Sequence, residues 1–205
     1  SGPQFLGIQE SKSILSWLEH NQPELVQELQ RIMPLSRFSA VLQRLAGEGV
    51  PLRAVRLIVE SLIEYGQHER EPEALAGYAR IALKSQIFHQ YSEADGLHVW
   101  LLSPQSENTL REALRQTQTG VFFALDDESS AALVSLLNQA FTLRPKTKSV
   151  MLVAQDLRSP LRTLLLEEFN HVPVLSFAEL GSTSKVKVLG RFDFGQDELM
   201  RGAVA

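Results

Sequence analysis

From Ile8 to Tyr91 the apolar residues return at steps of three and four, as in Ile14, Trp17 and Leu18, then Leu25, Leu29 and Ile32. That period puts them on one face of a helix, so this half of the chain reads as helical. Pro23 and Pro34 suit the first position of a helix or the gap before one, because proline has no amide to donate in a helix interior. A third helix is expected from Ser36 to Ala46, burying Phe38, Val41, Leu42 and Leu45, with Gly47-Glu48-Gly49 as its stop. A fourth follows Pro51, turns Val55, Ile58, Val59, Leu62 and Ile63 inward and ends near Gly66. A fifth, from Pro72 to Gln90, presents Leu75, Tyr78, Ala79, Ala82, Leu83 and Ile87.

The pattern changes at the polar segment Ser92 to Gly96, where a domain boundary is expected. Leu97 to Leu102 reads as a strand, followed by helices from Glu107 to Gln118 and from Asp126 to Phe141. Asp126, Asp127 and Glu128 place negative charge at the unpaired amides of the second of these helices. A buried strand at Ser149 to Ala154, a helix at Ser159 to Phe169, and strands at Val172 to Ser176 and Lys185 to Leu189 complete the order β-α-α-β-α-β-β. Strands separated by helices lie parallel when the crossovers are right-handed. The fold class is therefore α+β, a helical subdomain followed by a small α/β subdomain with a mixed, partly parallel sheet. Lys185-Val186-Lys187-Val188 alternates as in an edge strand guarded by charge. The expected organisation is 1–7 as linker, with Ser1-Gly2-Pro3 resembling a scar of tag removal, then 8–92 and 97–205.

The 205 residues, 44% apolar and 21% charged, suffice for one large domain or two small ones. A net charge of −4 gives no electrostatic reason to expect nucleic acid or anionic lipid as the main partner. There are no cysteines, which excludes disulfides and thiolate zinc sites. No run of apolar residues is long enough to cross a bilayer and no signal peptide is evident, so this stretch is expected to be soluble.

No Gly-rich phosphate loop, HExxH, GxSxG elbow or EF-hand loop is present. His20, His68, His89, His98 and His171 are scattered over both halves, whereas a metal needs convergent ligands, so neither metal nor cofactor is expected. Glu167 and His171 stand four apart, the spacing of a solvated helix pair. Ser182-Thr183-Ser184-Lys185 has the Ser-x-x-Lys spacing of some acyl-transfer enzymes but falls in an expected turn. The third and fourth helices, with Arg53 and Arg56 on the second, also fit a helix-turn-helix nucleic-acid binder, although Glu48, Glu60 and Glu64 dilute that charge. A continuous basic surface on the fourth helix would favour that reading; a deep pocket with converging titratable groups would favour a hydrolase.

A series of segments in order carries a family resemblance. It begins at Leu6-Gly7-Ile8-Gln9-Glu10, Pro23-Glu24-Leu25-Val26 and Pro34-Leu35-Ser36-Arg37-Phe38. It continues through Val41-Leu42-Gln43-Arg44-Leu45, Glu48-Gly49-Val50-Pro51-Leu52-Arg53 and Ile58-Val59-Glu60-Ser61-Leu62. Tyr78-Ala79-Arg80-Ile81-Ala82-Leu83-Lys84, Arg115-Gln116-Thr117 and Val172-Pro173-Val174-Leu175-Ser176-Phe177-Ala178-Glu179-Leu180 follow. Through them nearly the whole chain resembles the FlhA/SctV (FHIPEP) family of type III secretion export-gate proteins.

The resemblance implies an inner-membrane protein whose cytoplasmic part forms a nonameric ring, a docking platform for chaperone-bound substrates, gatekeeper proteins and other export components, with no enzymatic role. It also implies four cytoplasmic subdomains, of which this chain corresponds to the third, the fourth and a short connecting helix. The family's main chaperone cleft, between the second and fourth, is not expected to be complete in it. The tail from Arg191 to Ala205 and Phe88-His89-Gln90-Tyr91 point toward a virulence rather than a flagellar system. A closed ring needs two different complementary surfaces. Arg44, Arg53, Arg56, Arg80 and Lys84 against Glu48 and Glu60 are the candidates on the helical half. Gln155, Asp156 and Arg158, expected just after a strand where open α/β sheets present ligand surfaces, are the partner-binding candidates.

Overall fold

Amphipathic stripes in the first half fold into helices α1 (Ile8–Asn21), α2 (Pro23–Ile32), α3 (Leu35–Gly47), α4 (Val55–Tyr65) and α5 (Pro72–Ala82), with one 3-10 turn at Leu52–Ala54 before α4. The computed structural model describes residues 6–143, 148–168 and 172–194. The chain divides into two units, Ser1–Ile87 and Phe88–Ala205, and the division falls inside helix α6 (Lys84–Tyr91).

In the first unit α1 packs on α2 and α3, α2 on α4, and α5 on both α3 and α4. Ile58, Val59 and Leu62 of α4, Val41 and Leu42 of α3, and Leu75 and Ala79 of α5 are wholly buried. Each helix starts where its sequence is built to start one: Pro23 and Pro72 occupy first-turn positions, and the Gly7 amide donates to the Glu10 carboxylate at 2.8 Å. The end of α3 is a Schellman turn, in which the Val50 amide donates to the Leu45 carbonyl at 2.9 Å and the Gly49 amide to Ala46 at 3.0 Å. Gly49 sits at φ 74°, where a β-carbon is strained.

Two expectations are corrected here. The fifth helix is broken at Leu83, whose amide is shared between the Ala79 and Arg80 carbonyls, so α5 and α6 are separate. Trp17, placed by its spacing on the buried stripe of α1, is instead 61% exposed. Helical period alone assigns a residue to a stripe whose width depends on how many neighbours pack there.

The second unit is a four-stranded sheet of β1 (Leu97–Leu102), β4 (Val150–Val153), β5 (Val174–Ser176) and β6 (Val186–Phe192), in the order β5-β4-β1-β6 with every pair parallel. A separate antiparallel hairpin joins β2 (Leu114–Thr117) to β3 (Gly120–Phe123). Helices α7 (Pro104–Glu112), α8 (Asp127–Leu143) and α9 (Gln155–Glu168) complete it, with α9 packed against β3, β4, β5, α7 and α8. Met151, Val153, Leu157, Leu161, Leu165 and Leu110 form its core. The helix-first, α/β-second architecture matches the expected fold class.

The hairpin was not expected. The helix placed at Glu107 to Gln118 starts earlier, at Pro104 behind the Ser103 cap, and ends at Glu112; Leu114–Thr117 turns back as a strand. The turn residues Gln118 and Thr119 carry none of the usual Asn-Gly signal, and Thr117 Oγ1 closes the loop on the Gly120 carbonyl at 3.0 Å. α9 begins at Gln155 rather than Ser159 and tolerates Pro160 inside it. The start of α8 is as read: the Ser129 amide donates to Asp126 at 2.7 Å. β6 lies at the sheet edge and continues to Phe192, into the segment assigned to the tail; residues 195–205 lie outside the described residues.

Substituting Gly49→Ala should lower the unfolding free energy by about 1–2 kcal/mol, the cost of a β-carbon in the left-handed region. Gly47→Ala, two residues earlier inside α3 with nothing within 4 Å of the new carbon, should instead raise it by about 0.5–1 kcal/mol. Urea midpoints of the two variants check both signs.

Candidate docking surfaces

The N-terminal end of α4 faces α1 across an open groove of about 320 Å³. Trp17, Leu18, Asn21 and Gln22 line one side, Arg53 to Leu57 the other, and its wall is mostly apolar. Arg53 comes from the 3-10 turn and Arg56 from the first turn of α4, so Pro51 and the turn aim both guanidiniums at the rim. The exposed Trp17 ring thus sits beside two of the residues assigned to the ring surface, a convergence the sequence reading missed because it placed the indole in the core. Arg56 also approaches Glu60 at 3.7 Å, a solvated i,i+4 pair worth about 0.3–0.5 kcal/mol. With Glu60 and Glu64 exposed on the same helix, α4 does not present the continuous basic face of a nucleic-acid reader.

Arg44 on α3 and Lys84 at the start of α6 are exposed. Arg80 is not a surface charge. Its side chain is 3% exposed and lies 3.9 Å from Glu48, itself half-buried, so the pair ties α5 to α3 inside the unit. Alternation of charge along a helix cannot distinguish such a tie from a rim residue.

Of the three positions expected to face a partner from the second unit, two, Gln155 and Asp156, remain at the surface. Asp156 accepts two hydrogen bonds from the Arg111 guanidinium, at 2.5 and 3.0 Å, with both side chains partly exposed. That bond holds the Asp156 carboxyl below the usual carboxylate range and raises Arg111 above the usual guanidinium value. Gln155 is engaged by the Ser176 hydroxyl, which donates to its side-chain carbonyl. Arg158 is buried: it lies 3.7 Å from the fully buried Glu179 and donates to the Val174 carbonyl at 3.2 Å. Glu179 in turn accepts from the Ser176 amide at 3.0 Å. These contacts fasten α9 to β5 and the turn after it, and Arg158 is corrected from a partner-binding residue to an internal clamp. The miss follows from the late start assigned to α9, which left all three residues in a loop.

At the carboxyl ends of the parallel strands, where open sheets commonly receive an anionic ligand, the protein supplies its own carboxylate: Glu107 accepts from the Ala154 amide at 2.8 Å, ahead of α9. Among the described residues no group of three His, Asp or Glu side chains is placed to hold a metal ion. Ser184 lies in a turn, as expected, where its hydroxyl accepts from the Gly181 amide at 3.0 Å. His171, and with it any contact to Glu167, lies outside the described residues. No described helix is long and apolar enough to cross a membrane.

The Asp95 carboxyl is held well below the usual carboxylate range. His98 Nε2 lies 2.7 Å from one of its oxygens and Lys187 Nζ 3.0 Å from the other. The hydrogen bond with His98, then that with Lys187, lowers its pKa from 3.8 to about 2. His98 and Lys187 come from neighbouring strands β1 and β6, paired at those residues, so strand register builds the cluster.

A third surface lies at the other end of α4. Arg31, Ile32, Arg37, Gly66, Gln67 and Arg70 line an open, polar basin of about 450 Å³.

The FHIPEP family profile matches residues 1–185. The hypersensitivity response secretion protein HrpI of Pseudomonas syringae pv. syringae is 65% identical over 195 residues, 95% of this chain and 28% of that protein. Among solved structures, the nonameric EPEC SctV-C is 37% identical with a TM-score of 0.84, over 92% of this chain and 57% of that one. CdsV of Chlamydia pneumoniae, solved in complex with CdsO, is 33% identical with a TM-score of 0.81, over 91% of this chain and 56% of that one. The chain therefore spans little more than a quarter of its curated relative and just over half of the solved domains.

Two measurements check the assignments. Arg158→Met, which strands Glu179 buried without its cation, should destabilise the protein by about 3–5 kcal/mol in urea unfolding, whereas a partner-binding surface arginine would change stability little. The Asp95 carboxyl carbon, followed by NMR, should titrate near pH 2; because the folded pKa lies below the unfolded one, the cluster's stabilising contribution is complete above about pH 4 and is lost as pH falls through about 2.

Proposed function

Because the chain belongs to the FHIPEP family, we propose that it is part of the cytoplasmic portion of a type III secretion export gate of a virulence system, working as a ring-forming docking platform rather than as an enzyme. The observation that carries this reading is the likeness, at 37% identity, to a domain solved as a nonamer. Relatives named as a hypersensitivity response secretion protein and a harpin secretion protein support a virulence rather than a flagellar system, and an inner-membrane location for the whole protein is part of the same reading.

A ring of identical copies closes through a heterologous contact, one face of a protomer meeting a different face of the next. We assign one of these faces to the groove around Trp17, with Arg53 and Arg56 at its rim. A half-exposed indole flanked by guanidiniums has the make-up of an interface anchor with a charged border, and Trp and Arg are enriched among residues that dominate association energy. Arg44, Glu48, Glu60 and Lys84 then serve to set register, with Glu48 already held by Arg80.

The second unit is the partner-facing part of this reading, and chaperone-bound substrates and gatekeeper proteins are its expected partners. The complex of the related CdsV with CdsO supports docking of another protein on such a domain. On this chain the exposed Arg111–Asp156 pair is the polar feature such a partner would meet.

Light scattering after size exclusion, over a concentration series at low and high salt, tests the ring. The mass should climb towards nine protomers with concentration and fall with salt, and Trp17→Ala or Arg53→Glu should shift the curve to about tenfold higher concentration. A wild-type mass that stays monomeric throughout, or assembly indifferent to both substitutions, would overturn this assignment of the surface.

A further inference from the structure

Three arginines converge at the C-terminal end of α4 in a chain whose net charge is −4. Arg31 comes from the last turn of α2, Arg37 from the first turn of α3, and Arg70 from the loop that follows α4. The buried Gly66, at the C-terminal end of α4, lines the basin together with Ile32 and Gln67.

The charge of the three arginines is largely uncommitted. Among the described residues neither Arg37 nor Arg70 has a side-chain hydrogen bond or ion pair. The nearest acid in sequence, Glu69, is turned into its own loop, where it accepts from the Arg70 amide at 3.0 Å and the Glu71 amide at 3.2 Å. Among the described residues Arg31 is engaged by Glu28 on its own helix, at the surface. No carboxylate among the described residues lines the basin. A position near the C-terminus of α2 accounts for Arg31 alone, since a cation there suits the helix dipole; it does not account for three cations from three elements around one depression.

We propose that this basin is a docking site for a short acidic segment of a partner protein, held by carboxylate–guanidinium pairs. Arginine presents a planar fork that matches a carboxylate with two parallel hydrogen bonds, and three forks can accept successive acidic side chains of an extended segment. The lining is polar apart from Ile32 and open to solvent, whereas small-molecule sites are mostly apolar and envelop their ligand. No aromatic side chain lines it to stack a base, and Glu69 and Glu71 flank it, which disfavours a long polyanion but leaves room for a few carboxylates. The site lies about 16 Å from the Trp17 groove along the 11 residues of α4, so it stands apart from the ring surface.

The test is fluorescence anisotropy of a labelled peptide of six alternating Glu and Asp residues, titrated with the whole chain at low salt. The same peptide with Gln and Asn in place of its acids is the neutral comparison. The acidic peptide should bind, the neutral one should not, and Arg37→Gln with Arg70→Gln should weaken binding about tenfold or more. Arg115→Gln with Lys185→Gln, which removes an equal charge from the second unit, should change it by less than about twofold. Arg70→Lys keeps the charge but loses the fork and should also bind more weakly, which keeps the test decisive if the double variant unfolds. Equal binding of both peptides, undiminished binding by the arginine variants, or displacement of the peptide by an equal concentration of inorganic phosphate would overturn the proposal. So would failure to bind the peptide alongside binding to phosphatidylglycerol vesicles. Loss of the ring would show in the light-scattering mass and leave this anisotropy unchanged, so the two readings fail separately.

Discussion

Everything in the helical unit is arranged around α4. Its Ile58, Val59 and Leu62 are fully buried, and α1, α2 and α5 all pack against it. Burying an aliphatic side chain is worth about 1.5–3 kcal/mol, so the inward stripe of α4 cannot be withdrawn from its neighbours without losing much of the stability of a small unit. The groove and the basin lie at the two ends of α4, where side chains from neighbouring elements converge. One end gathers Trp17, Arg53 and Arg56 around an apolar groove; the other gathers Arg31, Arg37 and Arg70 around a polar one. The two proposals rest on this single constraint and differ because the chain places an indole at one end and only guanidiniums at the other.

The sheet unit solves a different problem. A parallel sheet leaves amides at the carboxyl ends of its strands and at the start of the following helix, and a cofactor or substrate often occupies that position. Here Glu107 caps the Ala154 amide, Gln155 engages Ser176, and the buried Arg158–Glu179 pair locks α9 against β5. The edge that many α/β folds open to a ligand is fastened from within. What remains outward-facing is a polar rim with the Arg111–Asp156 pair on it, suited to contact with another protein.

Buried charge pairs recur in both units, and each altered the reading of a surface. Arg80–Glu48 joins two helices, and Arg158–Glu179 joins a helix to the end of a strand. Removing one partner of such a pair is costly because the other is left desolvated, so these residues hold elements together even though their letters suggest exposure. Exposed pairs such as Arg56–Glu60 contribute little to stability and stay available for a neighbour.

By itself the sequence determined the order of a helical half and an α/β half, the stops at Gly49 and Gly66, the caps at Pro23, Pro72 and Asp126, and most of the core, because these follow from local period and from backbone chemistry within a few residues. Its ordered motifs also determined the family. Tertiary structure alone decided the hairpin at Leu114 to Phe123, whose strands are short and whose turn lacks the usual residues, so only packing selects it over a continued helix. It alone decided that Trp17 lies outside and that Arg80 and Arg158 lie inside. Period assigns a residue to a face, but whether another element covers that face, and whether an acid on that element meets the charge, depends on contacts distant in the chain. The arginine basin belongs to the same class: its three cations come from three elements and are neighbours only once α2, α3 and the end of α4 have packed.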